Sequence, residues 1–384
     1  MRTDPMRNNP AMSRPPLYVT RPYLPPLEEF TPLLREIWDS RVLTNGGPFH
    51  QRLEAALAEY LGVPHVALFN NGTVALMVAL QALQVQGEVI TTPYTFVATP
   101  HALLWNKLTP VFVDIDPRTG NLDPALIEEA ISERTAAILP VHCYGEPCDT
   151  AAIAEVARRR RLPVIYDAAH AFGVQRDGRS LLLEGDLSVL SFHATKTFHT
   201  FEGGAVVCHD AAMKRRIDDL KNFGFRNQIT VIEAGLNGKM NEMQAAFGLL
   251  MLNHIDELRE RRAAMVAQYD ALLAGVPGIA RLARDASARA ANGYYPVLIE
   301  PGFGLHRDEV HRRLEAKGIF TRRYFYPLVS DMPMYRDLPS AHPLRLPRAR
   351  ALADSVLCLP LHAEPGDDAE RVVNALRELA GVCA

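Results

Sequence analysis

Short, almost wholly apolar runs recur along the chain as far as His209, and each stops at polar residues or glycine. They are HVALFN (His65–Asn70), EVITT (Glu88–Thr92), PVFVDID (Pro110–Asp116), AAILPVH (Ala136–His142), LPVIYD (Leu162–Asp167), LSVLSF (Leu187–Phe192) and GAVVCH (Gly204–His209). Strands covered on both faces read this way, because neither face meets water. Between the earlier runs the apolar positions fall at helical spacing, in TVALMVALQAL (Thr73–Leu83), PALIEEAIS (Pro124–Ser132) and AAIAEVARRR (Ala151–Arg160). Strand and helix in alternation predict an α/β fold, a mainly parallel sheet wrapped by helices.

Beyond His209 the pattern changes. Asn241–Leu258 predicts one long helix, and helical character continues through Arg259–Leu273. The glycine- and proline-containing segment around Gly275–Gly278 predicts a hinge into a smaller C-terminal α/β unit, with a strand at Tyr294–Glu300 and a helix at Arg307–Lys317. Residues 1–16 are polar and rich in proline, which predicts a mobile N-terminal segment. The expected division is therefore 1–16, a large α/β domain over 17–255, and a small one over 256–384.

Composition narrows the function classes. A chain of 384 residues can bury a sizeable core. Lysine and arginine number 41 against 44 acidic residues, a formal charge of −3, so no broad attraction to nucleic acid follows. The five cysteines are scattered, and Cys143 with Cys148 lacks the second ligand pair of a zinc site. They read as free thiols of a reducing compartment. No apolar run reaches membrane-spanning length, and MRTDPMRNNPAMSRPP has no apolar core of a secretory signal. A cytoplasmic protein with no metal and no membrane contact is the expectation. The run Arg158–Arg161 reads as the solvated end of a helix, where cations suit the dipole.

Ligands of open parallel sheets bind at the carboxyl ends of the strands, so the polar residues there matter most. Asn71-Gly72-Thr73 follows the first run and opens a helix, an arrangement suited to an anion but equally to plain capping. Asp167 ends LPVIYD; a buried acid wants a cation, which a protonated pyridine nitrogen, a salt bridge or magnesium can each supply. Lys196 follows LSVLSF within SFHATKTFHTFEGG. A desolvated lysine there can join an aldehyde and then move protons between carbon centres. Ser191 and Thr195 stand near enough to serve a phosphate. Alone, a lysine is most simply a solvated surface group; an anion turn, an acid and a lysine in that order at strand ends shift the balance. No G-x-G-x-x-G follows the first strand, which counts against a nicotinamide enzyme.

The stretches DAAHAFG, SFHATKTFHTFEGGAVV and GLNGKMNEMQAAFGL, with LTNGGP, NNGTVAL, TTPYTFVAT, FVDIDP and PVHCYG, resemble the DegT/DnrJ/EryC1/StrS family of sugar aminotransferases. The likeness runs from about Tyr18 to the end of the chain, in several long motifs in order. The resemblance implies a fold-type I pyridoxal-phosphate enzyme. Lys196 matches the lysine that holds the cofactor aldehyde, Asp167 the acid on the pyridine nitrogen, and His170 a neighbour of the ring hydroxyl. Phe96 matches the aromatic residue stacked on the ring, and Gly72, Thr73 and Ser191 the phosphate positions. Asn237 matches an asparagine reaching the cofactor phosphate of a partner subunit, which implies a homodimer with shared active sites, and Lys239 a basic residue near the substrate. Gly238 departs from the tyrosine of many relatives. Some relatives carry histidine in place of the lysine and dehydrate, so Lys196 favours transamination.

RRYFYPL (Arg322–Leu328), with the lysine stretch, resembles the subgroup that makes dTDP-4-amino-4,6-dideoxyglucose from the 4-keto sugar and L-glutamate. Arg322, Arg323, Tyr324 and Tyr326 are then expected near the nucleotide or sugar, the arginines on the diphosphate. Other expectations stay open: simple packing of those aromatics, a 3-keto nucleotide sugar or keto cyclitol as substrate, or a silent cofactor-binding sensor. His193 and His199 are expected to be structural or to pack on the substrate side.

Overall fold

A computed structural model describes residues 14–364 and 366–382. Most of the expected mobile N-terminal segment, and Cys383, lie outside these. Seven strands form the central sheet: β1 (His65–Phe69), β2 (Glu88–Thr91), β3 (Thr109–Phe112), β4 (Thr135–Leu139), β5 (Ile165–Asp167), β6 (Leu187–Ser191) and β7 (Gly204–Cys208). Their order is β1-β7-β6-β5 followed by β4-β2-β3. Single parallel pairings, Ile138 with Val164 and Val141 with Asp167, join the two parts. Only β7 runs antiparallel to its neighbours. It follows β6 without a crossover helix, as suits an antiparallel pair.

Helices cover both faces. Alternate strand residues point to opposite sides, so Leu68, Leu190, Ala205 and Val207 pack with α1 (Leu27–Ser40), α2 (Pro48–Leu61) and the start of a long later helix. Ala67, Phe69, Val189 and Val206 pack instead with α3 (Gly72–Ala82), α4 (Ala98–Trp105) and α6 (Ala211–Leu220). Helix α5 (Thr150–Arg160) brings Ile153 and Val156 against Ile138 and Tyr166. The expected helix over Pro124–Ser132 is a 3-10 turn, Pro124–Leu126, and one helical turn, Ile127–Ala130. The Ser132 amide is taken by Thr135 Oγ1 at 2.9 Å, which turns the chain into β4 before another turn forms.

Helix α7 spans Glu242–Leu273 without a break, started by a capping box between Asn241 and Gln244. Its first half packs on the central sheet through Ala245, Leu250 and Ile255. Its second half packs through Met265, Tyr269 and Leu273 on a C-terminal layer. That layer holds β8 (Tyr295–Ile299), α8 (Arg307–Ala316), α9 (Pro347–Ser355), β9 (Val356–Leu359) and α10 (Asp368–Leu379). The expected division at 255/256 falls inside α7. Leu17–Tyr18, expected with the larger unit, pair with Ile319–Phe320 of the C-terminal layer. Among the described residues no helix is long and apolar enough to cross a membrane.

Candidate active site

Sheet register builds one corner of the site. Gly204, the first residue of β7, pairs with Phe69 at the end of β1 and with Ser191 at the end of β6. The Asn71–Gly72–Thr73 turn is thereby drawn against Ser191: a Cβ on Gly72 would stand 3.1 Å from Ser191 Cβ. The Asn71 side chain accepts the Val74 amide at 2.9 Å. The Gly72 and Thr73 amides precede the first intrahelical bonds of α3, so the helix leaves them for an outside acceptor, and its dipole favours an anion there. Gly204 makes the close approach possible, since a Cβ on it would lie 2.7 Å from Gly72 N. Gly204→Ala is expected to destabilise the fold by about 1–3 kcal/mol, read as a lower midpoint in chemical denaturation.

The adjacent strand supplies an acid. Asp167 ends β5 and is 5% exposed. Thr99 Oγ1 donates to its Oδ2 at 2.7 Å, and the Ala169 amide to its Oδ1 at 3.1 Å. Burial raises the carboxyl's pKa, while those two donors and the charge of Lys196 oppose the rise. Lys196 follows β6 on a turn closed by its own amide to His193 O, 2.8 Å. Burial lowers its pKa to about 8, against the pull of Asp167 and Tyr324. At neutral pH this leaves about a few hundredfold more neutral amine than an exposed lysine has. His170 Nδ1 accepts the Tyr144 amide at 3.2 Å, so its ring proton sits on Nε2. Burial, helped by the charge of Lys196, holds this histidine neutral.

These groups face one cavity of about 230 Å³. Gly72, Thr73, Phe96, Asp167, His170, Ser191, Lys196 and Tyr324 all line it, drawn from strand ends far apart in the chain. Phe96 is 56% exposed there, an aromatic face without cover. An anion corner, a buried acid, a neutral N–H donor and a lysine of lowered pKa thus share one enclosure.

The model of the DegT/DnrJ/EryC1/StrS aminotransferase family matches residues 27–377. The chain belongs to that family. It is similar to a dTDP-4-amino-4,6-dideoxy-D-glucose transaminase of Shigella dysenteriae, 53% identical over 365 residues, covering 95% of this chain and 99% of the relative. A protein of the same name from Escherichia coli is 50% identical over 364 residues, covering 94% and 98%. In fold the chain is similar to DesI, solved in the presence of its TDP-sugar product, with a TM-score of 0.92 and 41% identity over 97% of this chain and 94% of that one.

In this aminotransferase Thr195 also lines the cavity, while Asn237, Lys239, Arg322, Arg323 and Tyr326 stand outside its lining. Asn237 is exposed, its backbone bridged to Asn222. Lys239 Nζ donates to Asn222 Oδ1 at 2.8 Å and lies 4.7 Å from the Phe223 ring centroid. A Cβ on Gly238 would stand 2.9 Å from Val74 Cγ1 and 3.1 Å from Phe69 Cδ1, so these side chains occupy the room a tyrosine would need. Arg323 donates to Asp308 at 2.9 Å. Tyr326 lies beside two guanidiniums, Arg323 at 5.2 Å and the buried Arg307 at 4.7 Å. Arg322 is exposed, and no described side chain forms an ion pair or hydrogen bond with it. His199 is buried with Nε2 on Tyr23 O at 2.9 Å, a structural contact. His193 lines the cavity, its Nε2 3.6 Å from Glu202 Oε1.

Sequence reasoning missed Thr99, Tyr294, Phe325 and Glu202, all at the site. The repeat of Thr95 and Thr99 four residues apart in TTPYTFVAT was a usable signal, since their hydroxyls meet at 2.8 Å beside Asp167. Phe325 stacks parallel to His170 at 6.1 Å, and Tyr294 receives the Lys196 amine. Phe325 lies within RRYFYPL, between two residues expected at the substrate, whereas nothing local in the sequence marks Tyr294.

Proposed function

We propose that this chain moves the amino group of L-glutamate to C4 of dTDP-4-keto-6-deoxyglucose, giving dTDP-4-amino-4,6-dideoxyglucose, with pyridoxal 5′-phosphate held in the cavity. The observation that carries the reading is a lysine of lowered pKa and a buried acid facing one cavity beside an anion corner. The donor set fits the cofactor group by group. Gly72, Thr73 and Ser191 suit its phosphate, the Asp167 carboxylate its pyridine nitrogen, His170 Nε2–H its ring hydroxyl, and Phe96 its ring face. When bound, pyridoxal phosphate supplies an aldehyde that carries the amino group and a ring that draws electrons from the neighbouring carbon.

The chain's own residues do the remaining work. Lys196 Nζ, partly neutral at working pH, would hold the aldehyde carbon, whose oxygen leaves as water. Once freed by the incoming amine, it would carry a proton between the amino acid Cα and the cofactor C4′ carbon, and in the reverse sense with the keto sugar. Asp167 keeps a proton on the pyridine nitrogen by charge, with Thr99 and Ala169 fixing its two oxygens. Arg322, exposed and unpaired among the described residues, suits the diphosphate of the nucleotide sugar. Arg323 is already balanced by Asp308, so its part is to hold the Tyr324–Tyr326 segment, with Tyr324 toward the sugar and Tyr326 at the rim.

The assembly we propose is a homodimer with shared active sites, in which Asn237 reaches the partner's cofactor phosphate and Lys239 stands near the partner's substrate. Its support is the exposure of Asn237 and of the apolar Phe223, Ile229, Val231 and Ile232 on the segment before it. A cytoplasmic location is supported by four buried free cysteines, Cys143, Cys148, Cys208 and Cys358.

The test is a panel of nucleotide keto sugars and a keto cyclitol, each incubated with enzyme, pyridoxal phosphate and glutamate. The amino carbon of each product is then assigned by NMR. A 4-amino product from dTDP-4-keto-6-deoxyglucose is expected. A 3-amino sugar or an amino cyclitol as the sole product overturns the substrate assignment. Absence of any spectral change with glutamate overturns catalysis itself and favours the sensor.

A further inference from the structure

Tyr294 enters the cavity from the C-terminal layer, immediately before β8 and 98 residues along the chain from Lys196. Its hydroxyl accepts a hydrogen from Lys196 Nζ at 3.1 Å, and Nζ lies 5.5 Å from its ring centroid. Three rings brace it, His170 at 4.7 Å, Tyr324 edge-on at 5.8 Å and Tyr144 at 6.0 Å. The phenol is buried, and burial pushes its pKa far up, so it stays protonated wherever the lysine titrates. A protonated phenol serves both states of the amine: it accepts N–H from the ammonium and donates O–H to the neutral nitrogen.

We propose that Tyr294 is the seat of the freed Lys196 amine, holding Nζ at the cavity wall whenever the lysine is not joined to the cofactor, and so setting the position from which it moves protons. The inference rests on the pyridoxal-phosphate reading above. It also couples the C-terminal layer to the sheet that carries the lysine. Three other titratable groups face the amine. Asp167 and Tyr324 favour its charged form, and His170, held neutral, adds no charge. A hydrogen bond from the ammonium is about twice as strong as one between neutral groups, so the phenol on balance also favours the charged form.

Tyr294→Phe removes one oxygen and keeps the ring contacts, so the variant is expected to fold. The readout is the rate at which apoenzyme takes up pyridoxal phosphate, followed in the visible and measured across pH. Only the neutral amine attacks, so the rate rises through the lysine's pKa, about 8 in the wild type. In Tyr294→Phe the midpoint is expected to fall by about one pH unit. The kcat of amino transfer is expected to fall about tenfold with KM for glutamate unchanged. A midpoint equal to that of the wild type overturns the inference, whatever happens to kcat. A wild-type apoenzyme that takes up no pyridoxal phosphate overturns the cofactor reading, and the inference with it.

Discussion

Lys196→Ala is expected to keep its fold, to show no visible band of lysine-linked pyridoxal phosphate, and to turn over at least about 10⁴-fold more slowly. The size of the effect comes from two jobs in one group. On the proposed reading the amine would hold the aldehyde and, once freed, would be the base and acid placed at the reacting carbons. No neighbour can substitute. Tyr294 stays protonated because burial raises its pKa, His170 is held neutral with Nδ1 engaged by the Tyr144 amide, and Asp167 is tied to Thr99 and Ala169. The fold is spared because the side chain makes one hydrogen bond, to Tyr294, while its backbone turn rests on the amide of residue 196. Absorbance of the loaded protein and a single turnover with glutamate check both parts. Full activity in this variant would end the reading.

Asp167→Asn is expected to act with opposite signs on catalysis and on the stability of the apoprotein. A neutral amide cannot hold a proton on a pyridine nitrogen by charge. Losing one such preorganised electrostatic contact in a closed site costs about 10²–10³-fold in kcat. In the absence of cofactor the acid has no full counter-charge, and burial raises its pKa above the unfolded value. The folded state therefore keeps this proton to higher pH than the unfolded chain does. Apoprotein stability falls as pH rises from the ordinary carboxylate range through the raised pKa, and stays lowered above it. Asparagine removes that term, so apo Asp167→Asn should melt at a higher temperature than apo wild type at neutral pH. It should gain less from added pyridoxal phosphate. The Thr99 hydroxyl can turn to accept from the new amide and give its own hydrogen to Thr95, 2.8 Å away, which keeps the contact between Thr99 and residue 167. Melting curves of both proteins, with and without cofactor, decide this. A lower apo melting temperature in the variant would show that the carboxylate is paired in the apoprotein.

Much of the site was legible because it lies at strand ends, and buried strands announce themselves as apolar runs. Asn71-Gly72-Thr73, Asp167 and Ser191–Lys196 each follow such a run, and a parallel sheet brings successive carboxyl ends to one edge. Reading the runs was enough to place the anion corner, the acid and the lysine together. The same logic mislaid the helix at Pro124–Ser132, whose helical spacing was right but whose length was cut by a side-chain bond from Thr135. It also treated Arg322 and Arg323 alike. Neighbours in a loop point different ways, and only the arrival of α8 with Asp308 and Arg307 separates a committed guanidinium from a free one.

The sequence by itself determined the sheet, the order of its strand ends and the chemical types that meet there, because burial and backbone pairing act through local patterns of apolar residues. Tertiary structure decided how those types are tuned. The antiparallel entry of β7 presses Gly204 against Gly72 and closes the anion corner. The C-terminal layer brings Tyr294, Tyr324 and Phe325 over the lysine and histidine from nearly a hundred residues and more away. Desolvation and charge depend on distances through space, which no spacing along the chain encodes, so the lowered pKa of Lys196 belongs to the fold as a whole.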